Sequence, residues 1–326
     1  MTSPREIVAV DVGGTHARFA LAEIADGRVV ALGEETTLRT AEHASFQLAW
    51  EHYGAIVGRP LPRAASLTVA GPVTGEVLKF TNNPWIIRPA LIPEKLDVDD
   101  YSIVNDFAAI ADAVGQLGPE HLAYICGPDR ALPDPGVVTI LGPGTGLGVA
   151  ALHRTGGAYH VIATEGGHID FAPVDSLDDQ ILAEQRRRYR RVSAERVASG
   201  PGLAAIHHVL AGIEGRAVEP VDDKTLWTRA LDGDDSLAAA ALDRFCLSLG
   251  SIAGDLALAQ GGQAVVIAGG LGLRLRDHLP RSGFGQRFTA KGRFEGMMAA
   301  MPVRLITHPQ PGLYGAAAAF AREHAA

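Results

Sequence analysis

Asp11-Val12-Gly13-Gly14-Thr15 sets a carboxylate, two adjacent glycines and a hydroxyl between two apolar runs, residues 7–10 and 18–21. The pattern predicts a β-hairpin whose tip carries function. Paired glycines remove Cβ atoms and permit positive φ, so backbone N–H groups can converge on an anion, and Thr15 can add a hydroxyl donor. Asp11, at the strand end, can hold a divalent cation through water beside a phosphate. The same plan returns at residues 137–151, where an apolar strand enters Gly142-Pro143-Gly144-Thr145-Gly146 and another strand leaves. Each hairpin alone also reads as an ordinary glycine-rich turn. The pair, with Asp11 before one and a threonine in both, points to an internal duplication with a nucleotide between the halves. No Gly-Lys-Ser/Thr triplet occurs, and the glycines at 142, 144, 146 and 148 miss the GxGxxG spacing. A strand-turn-strand is also expected to leave no helix N-terminus at the phosphate, unlike a P-loop.

Further polar groups stand at element ends. Residues 102–104 are strand-like, and Phe107, Ile110, Ala111, Val114 and Leu117 follow helical spacing. Asn105 and Asp106 therefore sit where a strand ends and a helix begins, the usual ligand edge of an open α/β sheet. Asp106 reads either as the helix N-cap or as the carboxylate that takes a proton from a phosphoryl acceptor. Glu165, His168 and Asp170 flank Gly166-Gly167, without HExxH spacing. They suit a polyhydroxy ligand, since a carboxylate accepts from hydroxyls and imidazole can donate and accept. Glu195 reads as a further acceptor or as a solvated helix charge. Residues 71–85, with Asn82 and Asn83, read as a ligand-contacting loop or a surface hairpin. A strand at 264–268 running into Gly269-Gly270-Leu271 lets a flat base lie on backbone.

The elements needed to position these groups can be read in chain order. A third strand over 28–38, a helix over 44–56 and a strand over 66–70 follow the first hairpin. A Pro-free apolar helix over 236–260 with Ser236 as its cap, a strand at 303–306, and a helix opened by Pro311 and running to 325 close the chain. At 326 residues, 47% hydrophobic and 20% charged, the chain can fill two globular domains. Its net charge of −8 disfavours nucleic acid and anionic membrane, and the arginine-rich stretch 185–196 fits a solvated or subunit-contact face. Two cysteines without CxxC suggest reduced thiols and a cytoplasmic protein. The N-terminus lacks signal-peptide features, and no run approaches roughly 18 unbroken apolar residues.

DVGGTHAR (11–18), VNDF (104–107), LGPGTGLGVA (141–150), EGGHIDFAP (165–173), VSAERVASGPGL (192–203), VIAGGLG (266–272) and QPGLYGAAAAF (310–320) resemble bacterial glucokinases of the non-ROK type, in order along the whole chain. The resemblance implies an α/β fold of the two-domain actin, Hsp70 and sugar-kinase (ribonuclease H-like) class with an interdomain cleft. Residues 1–112 would form the small domain, completed by 307–326, and 113–306 the large one. It implies ATP-dependent phosphorylation of glucose at the 6-hydroxyl, with Asp106 as general base. Asn105, Asp106, Glu165, His168 and Glu195 would contact the sugar. Gly13, Gly14, Thr15, Gly144, Thr145 and Gly146 would line the phosphates, Asp11 would assist Mg²⁺ through water, and Gly269, Gly270 and Leu271 would face adenosine. A homodimer is implied too. The zinc-binding cysteines of ROK sugar kinases are missing after His168, where IDFAP stands. A kinase of another hexose and a non-catalytic sugar-sensing ATPase-fold protein are the alternatives.

Overall fold

The first sheet is built around a strand buried on both faces. In the computed structural model, which describes residues 4–80, 83–217 and 221–325, β1 (Arg5–Val12) buries Ile7, Val8, Ala9 and Val10 completely. Successive side chains of a strand point to opposite faces. Val8 and Val10 therefore join Phe19, Trp50 and Tyr53, while Ile7 and Ala9 join Leu313, Ala317 and Phe320. This double burial explains the unbroken apolar run.

β1 pairs antiparallel with β2 (His16–Ala25), which pairs in turn with β3 (Arg28–Leu32) and β4 (Thr36–Arg39). The strand expected over 28–38 is thus two strands, because the chain leaves the ladder at Gly33-Glu34-Glu35 and rejoins β2 nearer the hairpin tip. α1 (Phe46–Val57), capped by Ser45, leads to β5 (Ala64–Val69), which lies parallel to β1. The loop after β5 contains the short pair β6 (Leu78–Lys79) and β7 (Ile86–Ile87); Asn82 lies outside the described residues. α2 (Ile92–Leu96), β8 (Asp100–Asn105) and α3 (Asp106–Gln116) follow, giving the order β3-β2-β1-β5-β8.

The second sheet repeats this scheme. β9 (Leu122–Cys126) precedes β10 (Gly136–Pro143), β11 (Leu147–Arg154) and β12 (Tyr159–Thr164), which form an antiparallel set. Four helices follow: α4 (Ser176–Arg188), α5 (Gly200–Ile213), α6 (Asp223–Asp232) and α7 (Ser236–Gln260). β13 (Ala264–Ile267) then lies parallel to β10. After α8 (Gly269–Arg274), α9 (Phe284–Thr289) and α10 (Glu295–Ala299), β14 (Val303–Ile306) lies parallel to β13. The order is β12-β11-β10-β13-β14-β9. In each sheet an antiparallel hairpin with a third strand on one side is followed by two parallel strands on the other, so the duplication suggested by the hairpins extends to topology.

The last helix, α11 (Pro311–Glu323), belongs to the first sheet's unit. The chain divides into Met1–Gly118 with His308–Ala326, and Pro119–Thr307. A cut after residue 112 would fall inside α3, whose intact helix carries the division to its far end. α3 and α11 cross closely: a Cβ at Gly315 would lie 2.0 Å from the Ala109 carbonyl oxygen. Beside the crossing, Arg322 Nε donates to Asp112 Oδ1 at 2.7 Å, and Asp112 is fully buried. A buried carboxylate is tolerable only with such a partner.

α7 is long and apolar enough to cross a membrane by composition, but 72% of its most apolar window is buried. Leu242, Phe245, Leu249 and Leu256 lie in one cluster with Trp227 and Phe284. Asp235, rather than Ser236, caps it by accepting from the Leu237 and Ala238 N–H groups. Asp175 similarly caps α4 and meets Arg244 and Arg287. Burial raises its pKa, but the Arg244 hydrogen bond, the Asp178 N–H and the two guanidinium charges outweigh that and bring it down to about 2.

Two stability predictions follow from these contacts. Gly315→Ala should destabilise by about 1–3 kcal/mol because the added carbon meets backbone, whereas Gly212→Ala, with nothing within 4 Å on α5, should be neutral or stabilising by up to about 1 kcal/mol; urea unfolding measures both, and equal effects would contradict the close crossing. For Asp175, a folded pKa of about 2 below an unfolded value near ~3.9 means its stabilisation is complete above about pH 4 and lost as pH falls toward 2. The stability gap between wild type and Asp175→Asn should therefore shrink over that window, and a gap constant with pH would refute the assignment.

Candidate active site

In the first unit, the β1–β2 ladder continues to Val12↔Ala17, leaving Gly13, Gly14 and Thr15 as the tip. The Gly13 N–H closes the turn on the His16 carbonyl at 2.9 Å. Neither glycine takes a positive φ. At Gly13 the need is for space instead, since a Cβ would lie 3.2 Å from the His16 oxygen. All three tip carbonyls are occupied: Gly13 O by Asn83 Nδ2 (3.3 Å), Gly14 O by Thr40 Oγ1 (3.0 Å) and Thr15 O by Thr40 N (3.1 Å). Among the described residues the Gly14 and Thr15 N–H groups have no intramolecular acceptor. Asn83 is therefore a buried structural amide rather than a surface ligand contact.

Asp11 is held from two sides. Thr68 Oγ1 donates to its Oδ1 at 2.8 Å, and Arg18 Nη1 lies 3.1 Å from Oδ2. The start of α11 also abuts it, because a Cβ at Gly312 would sit 2.9 Å from Oδ2. The hairpin is not itself followed by a helix, but the returning helix brings its positive end to Asp11. At the end of β8, Asn105 Oδ1 caps α3 by accepting from the Phe107 and Ala108 N–H groups, and its Nδ2 donates to Gly71 O. Asp106 is the first residue of α3, half-buried, and its Oδ1 accepts from Phe107 N at 3.0 Å. The helix takes its cap from Asn105, so the capping alternative for Asp106 does not hold.

In the second unit, Gly144 N donates to Gly146 O at 2.8 Å across the β10–β11 tip, and Gly200 N donates to Gly144 O at 2.7 Å. The α5 N-terminus, which lacks a side-chain cap, therefore lies against this hairpin. Glu195 Oε2 accepts from Leu147 N at 3.1 Å and would collide with a Cβ at Gly146. Glu195 is thus tied to the hairpin instead of standing as a solvated helix charge. Residues 169–171 pair with 192–194 through Phe171 N to Val192 O, Ala194 N to Ile169 O and an Asp170↔Ser193 bridge. This pairing draws the Glu165–His168 turn and Glu195 onto one edge of the unit. Glu165 and His168 are largely exposed, 4.0 Å apart, whereas Asp170 is engaged by Arg191 at 2.6 Å.

Gly269 takes φ 82° and lies on the Pro143 carbonyl, and nothing stands within 4 Å of a Cβ at Gly144 or Gly270. Gly269 and Gly270 open α8, and Leu271, the next residue of that helix, is buried. Beside the hairpin a cavity of about 390 Å³ is lined by Thr145, Tyr189, Glu195, Ser199 and Pro201. Among the described residues no cluster of three His, Cys, Asp or Glu forms a protein-only metal site. Each unit thus presents an apolar strand pair ending in a glycine-bearing turn with carboxylates close by, an arrangement suited to phosphate. Thr40 and Thr68 gave no motif signal. Thr68 alone is suggested by a polar residue inside an apolar strand.

Solved structures similar to this one include glucokinases. A glucokinase from an Antarctic psychrotroph superposes with TM-score 0.84 at 34% identity, covering 96% of this chain and 98% of that one. A ROK-family glucokinase from Streptomyces griseus, crystallised with glucose and AMPPNP, superposes with TM-score 0.62 at 21% identity over 98% and 100%. The fold is that of the actin-like ATPases and sugar kinases. A family model described as Glucokinase matches residues 8–323, and the glucokinase of Zymomonas mobilis is 65% identical over 319 residues, 98% of each chain. The chain belongs to the glucokinase family: it is an enzyme, a kinase of the transferase class.

The two open glycine positions give a local test. Gly144→Ala meets no protein atom within 4 Å, so its stability should change by less than about 0.5 kcal/mol while ADP or pyrophosphate protects it less against thermal unfolding than wild type. Unchanged protection would remove Gly144 from the anion site.

Proposed function

We propose that this chain transfers the γ-phosphoryl group of Mg–ATP to the 6-hydroxyl of D-glucose, giving glucose 6-phosphate and ADP at the entry to glycolysis. The observation that carries this reading is the pair of topologically equivalent hairpins, each ending in a glycine-bearing turn, in a glucokinase-family chain. The Streptomyces griseus relative, crystallised with a sugar and an ATP analogue together, supports the same pairing of substrates.

In this reading Gly13, Gly14, Thr15, Gly144, Thr145 and Gly146 line the phosphates; the Gly13 and Gly144 N–H groups close their own turns, and donors come from the other tip N–H groups and the threonine hydroxyls. Gly269 and Gly270, with the Leu271 backbone, leave room for adenosine. Asp11 fits a divalent cation bound through water, because Thr68 and Arg18 already fix its carboxylate. Bound there, Mg²⁺ would offset charge on the β- and γ-phosphoryl groups. The remaining Nδ2–H of Asn105, the carboxylates of Glu165 and Glu195, and the His168 imidazole suit the hydroxyls of a hexose. Asp106 takes the 6-hydroxyl proton as that oxygen bonds to the γ-phosphorus and the bond to the β-phosphate oxygen breaks, with ADP leaving. Positioning and electrostatics supply most of the acceleration. A cytoplasmic location accords with the two free thiols, and a homodimer is carried as a proposal that light scattering checks.

ADP formation with glucose, mannose, fructose and N-acetylglucosamine tests the reaction: turnover with glucose alone supports it, turnover with another hexose reassigns the acceptor, and none with any sugar overturns it. Asp106→Asn should lower kcat about 10²–10⁴-fold with glucose affinity, measured by calorimetry, nearly unchanged. Near wild-type turnover would exclude Asp106 as the base.

A further inference from the structure

We infer that Thr40 is a positioning residue for the phosphoryl donor: it clamps the carbonyls of the first hairpin so that the tip presents only N–H groups to the nucleotide. The inference rests on the reading that this hairpin holds phosphate. Thr40 lies in a single 3-10 turn after β4 and is 3% exposed. It makes two contacts with consecutive tip residues, its hydroxyl donating to Gly14 O at 3.0 Å and its N–H to Thr15 O at 3.1 Å. Asn83 completes the set on Gly13 O, and its own Oδ1 is fixed by Trp85 N at 2.9 Å.

The physical need is specific to anion binding. A peptide carbonyl carries partial negative charge, so a tip peptide that flipped would turn an attractive N–H into a repulsive oxygen beside the phosphate. Neighbouring glycines lack the side chains that would otherwise oppose such rotation. With Gly14 O and Thr15 O both bound from behind, the flip requires breaking hydrogen bonds at a buried residue. Thr40 touches no reacting atom in this scheme. Its effect is to keep the binding conformation populated before the nucleotide arrives, and loss of a fraction of competent states weakens apparent affinity in proportion.

Thr40→Val is nearly isosteric, keeps the backbone bond to Thr15 and deletes only the hydroxyl bond to Gly14; Thr40→Ser restores the hydroxyl, and Thr40→Cys supplies a weak donor. A neutral hydrogen bond corresponds to about a 2- to 12-fold change in binding. KM for Mg–ATP and the calorimetric Kd for ADP should therefore rise by about that factor in Thr40→Val, least in Thr40→Ser and to an intermediate degree in Thr40→Cys. KM for glucose should stay constant across the series. If Thr40→Val fails to fold, the Cys and Ser variants carry the same comparison. ADP affinity unchanged in Thr40→Val or, should it not fold, in Thr40→Cys overturns the clamp, as does a parallel rise in KM for glucose, which marks general loosening. Failure of the functional reading is separable: wild type that binds ADP without turning over sugar refutes the acceptor but leaves the clamp to be judged by ADP affinity, whereas wild type that binds no ADP refutes both.

Discussion

A backbone turn keeps a fixed peptide orientation only where its polar groups have partners, and both hairpin tips of the chain are held in this way. A peptide unit offers an N–H on one side and an oxygen on the other, so presenting the donor demands a partner for the acceptor. At the first hairpin Asn83 and Thr40 supply those partners. At the second, the α5 N-terminus donates to Gly144 O, and Glu195 fixes the first N–H of the outgoing strand. The solutions use different residues and different elements. What the halves share is a sheet topology, laid down once in each unit, that delivers the turn.

That common topology explains why so much apolar material surrounds two short polar tips. β1 and β10 are central strands, each flanked by an antiparallel hairpin partner and a parallel neighbour. Central placement fixes register through burial on both faces, because a one-residue slip would exchange the side chains of the two faces. A tip at the end of such a strand inherits that rigidity. α11 extends the logic in the first unit: its alanines and Gly315 permit close contact with α3, and its start meets Asp11. The buried Asp112–Arg322 pair fixes the rotation of one helix on the other, and so ties the far end of α11 to the placement of its N-terminus.

Local periodicity made most of the framework legible. Apolar runs bounded by glycine marked the strands of both hairpins, and the extent of α7 followed from its Pro-free apolar length. Features decided by partners distant in sequence were not legible. The division of the strand expected over 28–38 depends on which part of β2 each segment meets. Caps were misread by one residue twice, at Asn105 and Asp235, because Asn, Asp and Ser share the chemistry and adjacent candidates differ only in backbone φ and ψ. None of the glycines at either tip takes the positive φ that glycine permits; Gly13 and Gly146 instead meet close neighbours, the His16 carbonyl and the Glu195 carboxylate. Thr40 left no trace at all, since a single threonine 25 or more positions from its hydrogen-bond acceptors carries no spacing signal.

The one-residue cap difference at the β8–α3 junction also has chemical content. An N-cap carboxylate would be committed to two helix N–H groups, and such hydrogen bonds stabilise the charged form and make it a poorer base. Asn105 performs that task with a neutral oxygen that does not titrate. The carboxylate is displaced by one position, to Asp106 in the first turn. A neutral cap followed by an acid thus separates the group that begins the helix from the group assigned the proton. Reversing the two residues would keep the composition and the helix while placing the acid, which now accepts from the Phe107 N–H alone among the helix N–H groups described, in the cap that accepts from both Phe107 and Ala108.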